Sequence, residues 1–414
     1  VLFLRTPLTL SRPRPTAAIQ AIGPVSFNSL HFSVSANQIR RNPFLRFRHG
    51  CQEHAPAINF AGAFYFARRN SRKDTQVMTT PVADGFHMPA EWAPHARCWM
   101  AWPVRAETFP NGLDAARAAY AAVAQAIAQF EPVTMLCPDG ALAEVSLACG
   151  KGVNVLPLPT SDSWVRDNGP SFVINGKGDV AGVHWGFNAW GRNYDDFQPD
   201  TEVGRLILEQ QGLKRYSAPL VMEGGSFHVD GEGTLLTTEE CLLNPNRNPH
   251  LSRSEVEGYL RDYLGVKQFI WLARGYEQDE TDGHIDEIAC FVKPGVVLTM
   301  VTDDTSDPNY PVFQDNLARL SAARDAAGRE LEIVTLRTPA RREQNGVRLT
   351  LSYTNFYMAN GGIVMPFFED PMDEEALRTF RRLFPDRKIV PVPALDIVRG
   401  GGGIHCITQQ QPAG

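Results

Sequence analysis

Along residues 78–414 the hydrophobic pattern switches between a period of two and a period near 3.6, in an order that repeats. Four hairpin signals stand out, each a Gly-containing turn between strand-like runs: 171–183 (SFVINGKGDVAGV), 226–238 (SFHVDGEGTLLTT), 288–300 (IACFVKPGVVLTM) and 355–367 (NFYMANGGIVMPF). After each comes a stretch with apolar residues three and four apart and charges between them, which predicts helices over 201–213, 254–264, 313–326 and 373–384. A short apolar strand closes each unit: SAPLVM, QFIWLA, LEIVTL and KIVPVPA. A fifth unit is split across the ends, with IHCITQQ (404–410) pairing with CWMAWP (98–103), followed by a helix over 114–130 and a strand at 132–137. Pairing the two ends removes exposed sheet edges, a standing liability of β structure. The expectation is one α/β domain over 78–414, a circular array of five ββαβ modules.

Such an array turns the loop before each hairpin toward a shared axis. Those loops read DSWVRDNGP, MEGGS, ETDGH and GGGGIHC, while the fourth, RLTLSYT, is bland. Chemistry is expected where four of the five meet.

Residues 1–77 stand apart. They are rich in arginine, carry only Glu53 and Asp74 as acids, and show no sustained period. They read as upstream sequence ahead of a start at Met78, with an organellar transit peptide as the alternative, and are set aside from the fold as a largely disordered extension. The whole chain of 414 residues is 43% hydrophobic and 21% charged, with a formal net charge of −6. That is globular composition with no general electrostatic reason to bind nucleic acid, and no apolar run is long enough for a membrane span. Seven widely spaced cysteines without a CxxC pair favour a reducing compartment, hence a cytoplasmic protein, and argue against a zinc ribbon.

Cys406 follows four glycines and His405, a run that lets the backbone approach a ligand closely. We read it as a nucleophile, and Cys98, Cys137 and Cys290 as core fillers. His284 lies in Glu280-Thr281-Asp282-Gly283-His284-Ile285-Asp286, among acids that favour its charged form; if this is a strand entry, His284 and Asp286 share a face. Asp167 stands three residues after Trp164, and Glu223 ends an apolar strand at a Gly-Gly turn, where burial calls for a positive partner, either His284 or a cationic substrate. One thiol, one imidazole and at least three carboxylates suit a planar cation rich in N–H, such as a guanidinium, better than acyl transfer. A metal site built from His284, Asp286, His405, His228 and Cys406 is the reading from another class, but no compact ligand spacing supports it.

The motifs MPAEWAPHARCWMAWP, DSWVRDNGP, EGGSFHVDGEGTLLTTEECLLNPNRNPHLS, DETDGHIDE and GGGIHCITQQQP resemble those of the agmatine deiminases, in the guanidino-modifying pentein superfamily, over essentially all of 78–414. The resemblance implies a five-bladed α/β propeller and hydrolysis of agmatine to N-carbamoylputrescine and ammonia, a step toward putrescine, with no metal or organic cofactor. It implies Cys406 as nucleophile, His284 as acid/base, Asp167 and Asp286 as the guanidinium grip, and Glu223 holding both His284 and the substrate. It also implies Trp164 as a channel wall, Glu280 near the distal amine, and a homo-oligomer. Two departures matter: the family's GGGNIHC has Gly403 in place of its Asn here, and residues 335–350 form a shorter loop. Deimination of arginine or peptidyl-arginine, or amidino transfer on the same fold, remain alternatives.

Overall fold

The computed structural model describes residues 79–414, so the expectation for residues 1–77 lies outside the described residues. Within 79–414 the chain builds an α/β fold from small sheets on one plan. An antiparallel pair is followed by a helix and a strand that returns parallel to the second member of the pair. Ser171–Asn175 and Val180–Gly186 pair antiparallel, the helix Val203–Gln210 follows, and Lys214–Val221 returns alongside Val180–Gly186. The same order recurs in Phe227–Val229, Thr234–Thr238 and Gln268–Leu272, in Ala289–Lys293, Val296–Val301 and Glu332–Arg337, and in Tyr357–Ala359, Gly362–Phe367 and Lys388–Pro393. The strand in the middle of each three-stranded sheet is buried on both faces, as Thr234–Thr238 shows along its whole length.

The chain ends do meet. Gln409–Pro412 pairs antiparallel with His95–Ala101, placing Gln410 opposite Cys98, and Val133–Cys137 joins in parallel after the helix Leu113–Ile127. The pairing strand starts later than the pattern predicts, because the Thr408 hydroxyl donates back to the carbonyls of Ile404 and His405 and closes 404–408 into a turn. The helix expected over 313–326 runs instead over Asn309–Ala322. Pro311 is tolerated there because first-turn amides lack helical partners in any case, and beyond the helix the Asp325 carboxylate accepts the amides of Ala327 and Arg329 to shape a loop. The pattern missed the helix Leu142–Cys149, the strand Val153–Pro157 that it delivers to the first sheet, and a two-stranded ribbon, Glu343–Gln344 with Val347–Arg348, inside the 335–350 loop.

Cys98, Cys137 and Cys290 are buried in the main apolar core, as expected of fillers. Among the described residues no helix is long and apolar enough to cross a membrane.

Candidate active site

Four loops that precede or enter sheet pairs bring the reactive groups together. The short helix Val165–Asn168 turns Asp167 inward, and the Arg166 amide donates to the Cys406 carbonyl, tying that helix to the glycine loop. Asp167 is buried, with Oδ1 accepting the Gly225 amide at 2.8 Å and Oδ2 the Trp190 indole N–H at 2.9 Å. Trp190 reaches it only because Ala189 and Trp190 adopt left-handed backbone, at φ 55° and 51°, a conformation costly for side-chain-bearing residues. A methyl group at Gly225 would press on His284 Nδ1, Asp286 Oδ2 and Asp167 Oδ1 together, so this glycine marks where the three side chains converge.

His284 is held by its backbone: its amide donates to Thr281 Oγ1, and the preceding Gly283 carbonyl accepts from Thr238. The strand entry expected through His284 and Asp286 is instead a tight 3-10 turn, Ile285–Glu287, with the strand starting at Ala289. The two side chains still meet, with His284 Nδ1 4.0 Å from Asp286 Oδ1. Asp167 Oδ2 lies 3.9 Å from Nδ1 and Glu223 Oε2 3.8 Å from Nε2. These contacts are longer than hydrogen bonds. Both ring nitrogens of His284, Glu223 Oε2 and Asp286 Oδ1 are therefore buried polar atoms without partners. Native proteins rarely leave such groups unmet unless something binds there. Burial disfavours charge on His284, but Asp167, the Cys241 sulfur and Glu223 outweigh it and lift its pKa well above the usual range. The acids around it are thus Asp167, Glu223 and Asp286, whereas Glu280 of its own segment lines a separate cavity mouth.

The positive partner of Glu223 is one the sequence reading missed. Arg247, in the loop after the second hairpin, donates Nε to Glu223 Oε1 at 2.8 Å, both side chains being fully buried. Burial raises the Glu223 carboxyl, but Arg247 and His284 prevail and hold it below the usual range. Asp167 has no such cation: burial, with Asp286 and Glu223 nearby, pushes it up to about 6 against the pull of His284.

Cys406 Sγ lies 3.5 Å from Asp286 Oδ2 and 3.8 Å from Glu287 Oε1. Burial, then Asp286, Glu287 and Asp167, raise its pKa far above an ordinary thiol. In the absence of a bound cation the group is a thiol. Asn355 Nδ2 donates to Sγ at 3.1 Å, so the residue that opens the fourth hairpin signal, directly after the bland loop, also supplies a contact to the sulfur. The glycine run fits the geometry: a methyl group at Gly402 would come within 2.7 Å of Trp164 and 3.1 Å of Sγ. At Gly403 it would overlap Asn355 Oδ1, so the space a side chain would need is filled by Asn355.

Trp164, stacked on Phe109, and Trp190 form the inner wall of a cavity of about 630 Å³. Its lining carries five carboxylates (Glu107, Asp162, Asp196, Asp279 and Glu280) against the guanidinium groups of Arg105, Arg348 and Arg399. Each of these arginines is paired with an aspartate: Asp196, Asp307 and Asp396 respectively. Arg166, Arg192 and Arg274 do not line it; Arg166 turns away to the His405 carbonyl and Glu91. Crowding by protein, with Asp279 and Asp162, pushes the Glu280 carboxyl up to about 7, a push tempered by water, because the residue is exposed at the cavity mouth.

Three buried groups have metal-capable atoms within 4.8 Å of one another: Glu91–His228–His405, Glu223–Cys241–His284 and Asp286–Glu287–Cys406. In the first, Glu91 and His405 already hydrogen-bond to each other, and His228 Nε2 stands 3.5 Å from the same carboxylate. Glu91 has no signal beyond its place in the MPAEW motif, because the partners it meets are 137 or more residues away in sequence, apart from Arg166.

Residues 87–412 match the Porphyromonas-type peptidyl-arginine deiminase family, and the chain belongs to it. The relatives it matches within that family include agmatine deiminases. That of Ectopseudomonas mendocina is 50% identical over 364 residues, covering 82% of this chain and 99% of the relative. That of Pseudomonas aeruginosa strain UCBPP-PA14 is 51% identical, covering 81% and 98%. Among solved structures, the agmatine deiminase of Enterococcus faecalis superposes with a TM-score of 0.79 at 39% identity, over 81% of this chain and 98% of that one. A cysteine-to-serine variant of C. jejuni agmatine deiminase with substrate bound superposes at 0.74 and 27% identity, over 80% and 97%.

Proposed function

We propose that this protein hydrolyses agmatine to N-carbamoylputrescine and ammonia through a covalent intermediate on Cys406, and that its five sheets are the blades of a propeller whose axis carries the site. The observation that carries the proposal is the cluster of unpartnered buried atoms on His284, Glu223 and Asp286 beside the Cys406 sulfur. A guanidinium offers N–H donors in a planar fork that carboxylates accept in pairs.

As the cation enters between Asp167, Asp286 and Glu223, it offsets the negative charge that keeps Cys406 protonated, and the thiol proton leaves to water. The thiolate adds to the central guanidinium carbon. Charged His284 gives its proton to one amino nitrogen, the C–N bond breaks, and ammonia departs, leaving an amidino-thioether. Neutral His284 then takes a proton from water, and the hydroxide adds to the same carbon. The C–S bond breaks, the carbamoyl product leaves, and Cys406 and charged His284 are restored.

The tail pocket favours agmatine over arginine or a peptidyl chain. An amino-acid carboxylate would face Glu280 and Asp279, and the arginines nearby are already paired. The test is to incubate the protein with agmatine and, separately, arginine, and to follow ammonia and ureido product. Turnover of agmatine alone is expected, and none is expected from Cys406→Ser. Turnover of arginine at a comparable rate would overturn the substrate assignment, and an active Cys406→Ser variant the nucleophile.

A further inference from the structure

His405 lies directly before Cys406, and its ring enters a buried network. Its Nδ1 is 2.8 Å from Asp286 Oδ2 and its Nε2 is 2.8 Å from Glu91 Oε1. Both ring nitrogens therefore face carboxylate oxygens. A neutral imidazole has one donor and one acceptor nitrogen, so only the doubly protonated ring satisfies both contacts with ionised carboxylates. Glu91 is fixed in turn by Arg166 Nη1 at 3.3 Å and His228 Nε2 at 3.5 Å. The Phe291 amide donates to His228 Nδ1, which leaves the proton of a neutral His228 on the nitrogen facing Glu91.

The site around His284 packs the buried side chains of Asp167, Glu223, Asp286 and Glu287 close together. Like charges this close cannot all ionise without cations. Glu223 has Arg247; Asp167 has two neutral N–H donors; the cation hydrogen-bonded to Asp286 is His405, while His284 stands off from Asp167 and Asp286 at 3.9 and 4.0 Å. We infer that His405, held by Glu91, is a positioning residue that keeps Asp286 ionised and oriented, with its free Oδ1 turned toward the substrate position. This rests on the guanidinium clamp proposed above. It explains why a chain segment 314 residues from the nucleophile loop sends a buried carboxylate beneath it. The direction of the shifts agrees: burial works against charge on both groups, yet Glu91 and Asp286 raise His405 despite Arg166, and His405 lowers Asp286.

The groups facing His405 are Asp286, Glu91, Arg166, His228, Cys290 and Cys406, and a pH effect must be read against all of them. The test uses the full chain and its His405→Gln and Glu91→Gln variants. It measures kcat/KM for agmatine across about pH 5 to 9, where the acid and base limbs are read. It also measures the rates at which 2-chloroacetamidine, a cation, and 2-chloroacetamide, its neutral counterpart, alkylate Cys406. In His405→Gln the Asp286 carboxyl loses its cation, so the acid limb is expected to gain a second protonation and steepen, and the preference for the cationic reagent is expected to fall about tenfold at the acid end of the range. In Glu91→Gln the same changes are expected in smaller measure, because His405 now holds its proton less tightly. Folded variants whose pH profiles and reagent preference superimpose on the parent would overturn the inference and leave a packing network. If His405→Gln fails to fold, the Glu91→Gln profile alone decides. A parent protein inert toward agmatine but still selective for the cationic reagent would sink the substrate proposal while leaving this one to be judged by the variants.

Discussion

The side-chain amide of Asn355 bridges the nucleophile loop: Nδ2 donates to Cys406 Sγ at 3.1 Å and to Glu287 Oε1 at 2.9 Å, while Oδ1 accepts the His405 amide at 2.7 Å. A neutral donor aimed at sulfur stabilises a thiolate more than a thiol, so it acts when the thiolate forms. Asn355→Ala is expected to lower kcat about ten- to a hundredfold, the loss of one hydrogen bond to a charged group, with KM little changed. Steady-state kinetics on agmatine would check this, and a rise confined to KM would show that Asn355 only shapes the binding pocket.

Asp167 carries its charge reluctantly. With its carboxyl near 6, kcat/KM is expected to fall as pH drops through about that value, because the protonated group no longer accepts a guanidinium donor. The sign for stability runs the other way. A folded pKa above the unfolded value means full stability below the ordinary carboxylate range, lost as pH rises through the folded value. Asp167→Asn is thus expected to be inactive, and its stability relative to the parent is expected to be about 2 to 3 kcal/mol more favourable at neutral pH than at pH 4. Urea melts of both proteins at pH 4 and 7.5 decide it: the difference must shift in favour of the variant at the higher pH.

In the proposed reaction Glu280, which lines the cavity, meets the far end of the substrate. Its backbone carbonyl is held by Asn193 Nδ2 at 2.9 Å, and its carboxylate lies against Gly401, whose φ of 106° also leaves no room for a side chain. Glu280→Gln is expected to raise KM for agmatine about tenfold, at the low end for a charge-assisted contact because the site is wetted, and to leave kcat nearly unchanged. An unaltered KM would move the amine to another acid of the cavity, with Asp162 next to be tried.

Arg247 is a matter of folding as much as of chemistry. It also donates to Asp282 Oδ2 at 2.8 Å and the Thr281 carbonyl at 2.9 Å, so one buried guanidinium pins the His284 loop to Glu223. Arg247→Met leaves Glu223 buried without its cation, a change that costs about 3–5 kcal/mol in comparable cases. A urea midpoint that stays put would show that the loop has relaxed to admit water.

The sequence by itself determined the local elements and the principal reactive types. Turn glycines between alternating runs define the hairpins at 171–183, 226–238, 288–300 and 355–367, because a φ/ψ requirement and a period of two are local properties. Cys406, His284, Asp286, Asp167, Glu223 and Trp164 were also legible, since a reactive side chain beside Gly-rich loops is written in consecutive residues; the structure gathers all six, with Glu280 at the cavity mouth. The tertiary structure alone decided who partners whom. Arg247 rather than a substrate neutralises Glu223, Asn355 touches the sulfur from the start of the fourth hairpin signal, and Glu91 reaches His405 across most of the described chain. Such pairings are set by burial, which makes an unpaired charge costly wherever its partner lies in sequence, and no local pattern encodes that distance.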